Sequence, residues 1–416
     1  MEKAEIIVIG DELLIGQVVD TNSGMIARQL NPIGISVART TAIHDDTTEI
    51  KNALTEAFYR SRLVLMTGGL GPTKDDITKS TLCEFFSTRL VPSIEVEQHV
   101  RALYNDRPDV LNQLTATQWL VPEKCNVLPN RVGSAPLMAF EQDGKFLYCM
   151  PGVPYEAQVA MEEQIIPLIK QKMRVGSIIH RTIIVQGIPE SSLALRIADW
   201  ENALPQNMHL AYLPKNKMIR LRLTGSTQGS QQQLEADLDE QISKLQSLVS
   251  PYLLATEDKP LELFVGEELQ RRGQTISTAE SCTGGRLAAL LNKHSGSSAY
   301  FWGGIVAYDN SVKMNMLGVT QQTLVNHGAV SQETVIEMAA GARRLLHTDW
   351  AIATSGVAGP TGGTKEKPVG TVWIAIDSPK YTITECLHLK GNREQITEQA
   401  AVLALARLLK HFNSGI

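Results

Sequence analysis

Leu63-Val-Leu-Met-Thr-Gly-Gly-Leu-Gly-Pro72 is an apolar strand-like run that breaks directly into a glycine turn, and Thr73-Lys-Asp-Asp-Ile-Thr78 after it opens a helix. Upstream, Ala4 to Ile9 reads as a strand, Ser23 to Leu30 as an amphipathic helix, Ser36 to Thr41 as a strand and Thr48 to Arg60 as a second helix. Strands and helices in alternation predict an α/β fold with a doubly wound parallel sheet. Ligands on such a sheet gather at the carboxyl ends of the strands, which is where the glycine turn falls.

Downstream, the rhythm changes near Val175. Thr182 to Gly187, a helix near Ser191 to Trp200, strand-like runs at His209 to Leu213 and Met218 to Thr224, and a long helix from Gln231 to Val249 predict a small βαββα unit. Asp258-Lys-Pro260 marks the next boundary. The α/β rhythm then resumes with a helix that puts Leu261, Phe264, Val265 and Leu269 on one face, and it closes with a helix near Arg393 to His411. Three domains follow, at 1–174, 175–257 and 258–416. A chain of 416 residues is too long for one ordinary core, which agrees with that division.

A net charge of −5 offers no general attraction for nucleic acid or an anionic membrane, so neither is expected as a partner. The first residues enter a strand at once, and no apolar run reaches the ~18 residues of a membrane span, so a cytoplasmic protein is expected. Five scattered cysteines without a C-x-x-C spacing argue against both a disulfide framework and a zinc cluster.

Two glycine-rich regions carry chemistry. In the first, Gly68, Gly69 and Gly71 allow close approach of a phosphate, and the helix N-terminus behind them favours negative charge. Asp75 and Asp76 beside a phosphate make electrostatic sense if a divalent metal bridges them, or if they cap the helix. The spacing is not the Gly-x-Gly-x-x-Gly of dinucleotide folds, so hydride chemistry is not implied.

In the second region, Thr278-Ala-Glu-Ser-Cys-Thr-Gly-Gly285 stands between a β-prone run and the helical Arg286-Leu-Ala-Ala-Leu-Leu291. Ala307-Tyr-Asp-Asn-Ser-Val-Lys313 and Ser355-Gly-Val-Ala-Gly-Pro-Thr-Gly-Gly363 follow it, with Lys367-Pro-Val-Gly370 close behind. Together they provide a hydroxyl nucleophile, an amine to activate it, and backbone N–H groups able to hold an anion. A tight turn with a capping serine is the alternative reading of the first segment, but turn chemistry has no need of Lys313 or of a second glycine loop.

These segments resemble the competence/damage-inducible CinA family, whose C-terminal domain is a nicotinamide mononucleotide (NMN) deamidase. Ala279 to Gly285, Tyr308 to Lys313, His327-Gly-Ala-Val-Ser331, Gly356 to Gly363 and Lys367 to Thr371 carry the likeness in that half. In the N-terminal half Gly10-Asp-Glu-Leu-Leu-Ile-Gly16, Asp20-Thr-Asn22 and the Gly68 loop resemble the family's molybdopterin-binding-like domain, and the middle segment is similar to its KH-like domain. The middle segment lacks a Gly-x-x-Gly clamp for a nucleic-acid backbone, which makes it a spacer or dimerisation element, and a homodimer is expected.

The resemblance implies Ser281 as nucleophile and Lys313 as its base, with Tyr308 and Asn310 orienting the lysine or the amide. It implies an oxyanion hole among Cys282, Thr283, Gly284 and Gly285, and a ribose-phosphate pocket at Ser355, Gly356, Gly359, Gly362 and Gly363. The deamidase domain needs no cofactor. The N-terminal domain implies ADP-ribose pyrophosphatase activity, with a divalent metal such as Mg²⁺ held by Asp11, Asp45 and Asp76, supported by Asp75. Leu137 after Gly133-Ser-Ala-Pro136, and Tyr155-Glu-Ala-Gln158 after Pro151-Gly-Val-Pro154, depart from the family pattern. They leave open a domain that binds a nucleotide or pterin without hydrolysing it. A non-enzymatic partner in DNA uptake or repair is the remaining alternative.

Overall fold

The structure, a computed structural model, describes residues 2–73, 76–112 and 115–413. It folds as two compact units. One holds the chain up to His180 with Leu204–His209 and Leu223–Ile242, and the other holds Arg181–Ala203, Leu210–Arg222 and the chain from Ser243 onward.

In the first unit β1 (Lys3–Ile9), β2 (Ser36–Ile43) and β3 (Leu63–Thr67) are the strands expected from the sequence. A short ribbon pairs β4 (Leu90–Pro92) with β5 (Leu120–Pro122). With β6 (Asn126–Leu128), β7 (Leu137–Gln142) and β8 (Lys145–Met150) the main sheet has the order β2-β1-β3-β8-β7-β6. β1, β2, β3 and β8 are parallel, but β7 runs antiparallel to both its neighbours, β8 and β6. The sheet is therefore mixed where a parallel one was expected. The cause is local: Asp143 (φ 52°) and Gly144 (φ 71°) form a two-residue hairpin turn, which returns the chain along its own strand.

Alternation along β1 places Ala4, Ile6 and Val8 in one core and Ile7 and Ile9 in another, so both faces of the sheet are covered. Helix Asn22–Leu30 packs Ile26 and Leu30 on the first face, and helix Thr47–Arg60 packs Ile50 and Leu54 on the second. Glu5, buried within β1, is neutralised by a two-pronged contact from Arg60 (2.8 and 2.9 Å).

The middle segment supplies β9 (Ser177–Gln186), β10 (Met208–Lys215), β11 (Met218–Thr227) and β12 (Leu253–Ala255), in the sheet order β10-β11-β9-β12. Its helices, Glu190–Asn202 and Gln231–Val249, complete the βαββα pattern.

The C-terminal sheet is β13 (Ile276–Glu280), β14 (Phe301–Val306), β15 (Trp350–Gly356), β16 (Thr371–Asp377) and β17 (Thr382–His388), ordered β14-β13-β15-β16-β17. β14, β13 and β15 are parallel, and β16 is added antiparallel to both its neighbours, β15 and β17. Helices Leu261–Arg272 and Arg393–Asn413 pack Val265, Leu269, Ile396 and Ala400 against one face, and helix Gln332–Leu346 packs Val335 and Met338 against the other. Among the described residues no helix is long and apolar enough to cross a membrane.

Candidate active sites

The three parallel strands of the C-terminal sheet end at Glu280, Val306 and Gly356, so the topology brings the Ser281, Tyr308 and Ser355 segments to the same edge. Ser281 is fixed at the end of β13 by its N–H, which donates to Thr354 O (2.9 Å). Gly284 and Gly285 take φ of +60° and +98°, turning the chain into helix Arg286–Leu291.

The N–H groups of this turn are shared out differently from the expectation. The Glu280 carboxylate, 1% exposed, accepts from Gly285 N (3.0 Å), Leu287 N (3.0 Å), Ala288 N (2.8 Å) and Thr283 Oγ1 (2.7 Å). Gly285 therefore cannot offer its N–H to a substrate, because an anion from the protein already occupies the helix N-terminus. Gly284 N donates to Ser281 O (3.2 Å), and Thr283 Oγ1 also meets Thr354 Oγ1 (2.6 Å). Among the described residues the backbone N–H groups of Cys282 and Thr283 have no backbone acceptor, which leaves them as the donors beside Ser281. The Cys282 thiol is buried in the core, and burial pushes its pKa up to about 12, so a thiolate nucleophile is disfavoured.

Lys313 is 1% exposed, and its Nζ donates to Tyr308 O (2.8 Å). Burial lowers its pKa from the ordinary lysine value, opposed by the charge of Asp309. Among the described residues no hydrogen bond joins Ser281 Oγ to Lys313 Nζ. Tyr308 orients the lysine through its carbonyl and not its ring, which is exposed and receives Arg393 Nη2 at its hydroxyl (2.9 Å). Asn310 is exposed at the start of helix Asn310–Leu317, behind the Asp309 cap.

Ser355 is buried and donates to Ala329 O (2.7 Å), which ties the end of β15 to the Ala329 loop and uses the hydroxyl's one proton. A Cβ on Gly356 or Gly363 would lie 2.7 Å from Thr371 O or 2.9 Å from Val369 N, so these glycines serve close backbone packing. At Gly359 (φ +74°) a Cβ would lie 2.6 Å from Val369, whereas at Gly362 (φ +87°) it would make only an ordinary contact with Val357 (3.8 Å). His327 holds its loop through its carbonyl, which accepts from Lys367 Nζ (2.7 Å). Arg393, unremarked in the sequence, links the edge by donating to Gly359 O (3.0 Å) and to Tyr308. Its signal was a lone arginine opening the last helix after Lys390-Gly-Asn392.

The N-terminal edge is equally convergent. Ile9-Gly10, Asp45, Gly68 to Pro72 and Pro151 to Val153, each following a parallel strand, line a cavity of about 460 Å³ with Glu12, Asp76, Gln118 and Glu156. Asn22 bridges two of these segments through Thr67 Oγ1 (3.0 Å) and Gly152 O (2.8 Å). A Cβ on Gly68 would lie 2.1 Å from Ile9 O, and one on Gly69 would lie 2.2 Å from Thr78 Oγ1.

The carboxylates expected as metal ligands divide. Asp76 spends its oxygens on Gly71 N (2.6 Å), Thr73 N (2.9 Å) and Thr73 Oγ1 (2.5 Å), so it organises the loop as a cap does. Asp11 is exposed, pairs with His44 Nδ1 (2.8 Å), and has its pKa lowered by that bond. Asp45 lines the cavity with its pKa raised, first by burial and then by the charge of Asp11, with Glu12 and Asp76 adding to it. Asp75 lies outside the described residues. Among the described residues no three His, Cys, Asp or Glu side chains form a group able to hold a metal by themselves. Leu137 does not enter the cavity; it is 1% exposed within the sheet core.

Residues 5–171 match the probable molybdopterin binding domain, 180–253 the damage-inducible protein CinA KH domain, and 258–412 the CinA C-terminal domain. A CinA-like protein of Cytophaga hutchinsonii is 44% identical over 407 residues, spanning 98% of this chain and 97% of the relative. A CinA-like protein of Flavobacterium psychrophilum is 42% identical over 413 residues, 98% of each. The solved competence damage-inducible protein A of Klebsiella pneumoniae is 41% identical, covering 36% of this chain and 93% of that one, with a TM-score of 0.36.

Proposed function

The chain belongs to the CinA family, and on that premise we propose that its C-terminal domain is an amidohydrolase converting NMN to nicotinate mononucleotide and ammonia. The observation that carries the reading is the placement, at one strand edge, of Ser281 on a tight turn and a buried, amine-favouring Lys313. Ser281 Oγ attacks the carboxamide carbon while its proton passes to the Lys313 amine. The N–H groups of Cys282 and Thr283 face the developing oxyanion. Collapse expels ammonia, which takes the proton from Lys313, and water then hydrolyses the ester to release the carboxylate. The pyridinium cation of bound NMN helps keep Lys313 neutral, since a like charge nearby disfavours the ammonium. Arg393 is the cation of this edge suited to the substrate phosphate.

The N-terminal cavity suits a diphosphate such as that of ADP-ribose. Its donor set does not make an all-protein metal cage, but Mg²⁺ is commonly held by one or two carboxylates together with substrate phosphates. Asp45 and Glu12 fit that role: both line the cavity, and the raised pKa of Asp45 marks a carboxylate in want of a cation. The metal would neutralise the diphosphate, while the N–H groups of Gly69 and Leu70 orient it, since Gly71 N donates to Asp76 (2.6 Å) and Gly68 N to Met150 O (3.2 Å). A domain that binds without turnover is the second reading, favoured by the commitment of Asp76 to its own loop.

Ammonia release from NMN by the purified protein tests the main reading. Release that continues at full rate in EDTA is expected, and no release above the uncatalysed rate contradicts it.

A further inference from the structure

Gln118 is fully buried, and among the described residues neither its amide nitrogen nor its amide oxygen has a hydrogen-bond partner. Buried polar groups are nearly always paired, and a leucine of similar size would remove both unmet atoms. Gln118 also forms part of the wall of the N-terminal cavity, where none of the lining side chains hydrogen-bonds to its amide. Its backbone is held firmly. Lys79, on the helix that follows the glycine turn, donates to Thr117 O (2.7 Å) and Gln118 O (3.5 Å). The turn is thus pinned to the glycine-loop helix while the side chain it carries is left unpaired.

We infer that Gln118 reads the base of the N-terminal ligand, pairing with an edge of a fused nitrogen heterocycle, a purine or a pterin, that shows a donor beside an acceptor. A carboxamide presents the complementary pair side by side, as glutamine does when it contacts adenine at N6 and N7. A phosphate would leave the amide oxygen repelled and unpaired, so the diphosphate belongs at the glycine turn and the neutral base at Gln118. The inference rests on the reading of this cavity as a nucleotide site, and it adds a specificity residue that the acidic and glycine positions do not supply.

The test is calorimetric binding to the full chain in Mg²⁺, using ADP-ribose, neopterin as a pterin probe and pyrophosphate as a base-free probe, with wild type and Gln118→Leu. ADP-ribose binding should weaken about 10- to 100-fold in the variant. Pyrophosphate binding should be unchanged, and the melting temperature equal or higher. If wild type binds neopterin but not ADP-ribose, and the variant loses neopterin by a similar factor, the assignment of Gln118 stands while the ADP-ribose reading falls. Equal heterocycle binding by both proteins, an equal loss of pyrophosphate, a lowered melting temperature in the variant, or binding of neither heterocycle by wild type overturns the assignment.

Discussion

A lysine acts as a base only as the free amine, and Lys313 sits where burial disfavours the ammonium while Tyr308 O accepts one of its protons. Its folded pKa lies below the ordinary value, so turnover should rise with pH through that lowered pKa and fall on the acid side as the amine is protonated. Lys313→Met keeps the stem and removes the amine, and it should lose about 10²- to 10⁴-fold in kcat with NMN binding largely kept. Lys313→Arg should be nearly as poor, since guanidinium does not deprotonate at working pH. A pH profile of kcat beside a binding titration checks this. Retained turnover in Lys313→Arg, or loss of binding in place of turnover, makes Lys313 an anchor for the substrate.

At the scale of elements, the Ser281 turn is built by Glu280. Its carboxylate takes three N–H groups of the turn and helix and one hydroxyl, all from residues three to eight positions on. Glu280→Gln places an amide N–H₂ against those donors. The expected loss is about 2–4 kcal/mol of stability, read as a lower denaturation midpoint, with a fall in NMN turnover. An unchanged midpoint would mean that the turn holds itself. The sequence made the elements legible: helices Gln231–Val249 and Arg286–Leu291 lie where their patterns put them. It was less legible where pairing is not local. The Asp143-Gly144 hairpin set β7 antiparallel in an expected parallel sheet, although its turn signal was present. Glu280 stood inside the quoted motif, yet its service as a cap depends on a fold-back that spacing does not display. Arg393 reaches Tyr308 across 85 positions, and Gln118 carries no motif; neither contact exists until the sheets form.

For the whole molecule, the two strand edges carry different residues, a carboxylate and glycine cavity in the N-terminal domain and buried Ser281 and Lys313 in the C-terminal one, and on the proposed reading different chemistries. ADP-ribose cleavage should therefore need a divalent cation and collapse in Asp45→Asn, while NMN deamidation in that variant matches wild type. Because the Asp45 pKa is raised in the fold, ionising it costs folding stability, a cost that sets in as pH rises above the ordinary aspartate value and is complete above the raised one. Asp45→Asn should therefore be at least as heat-stable as wild type at neutral pH without metal. Loss of both activities in EDTA would contradict the division of labour. The most direct test of the central claim is the rate of ammonia release from NMN by Ser281→Ala beside wild type, with folding checked by circular dichroism. A folded variant with turnover reduced at least about 10³-fold is predicted from loss of the covalent route; turnover near the wild-type rate would contradict Ser281 as the nucleophile.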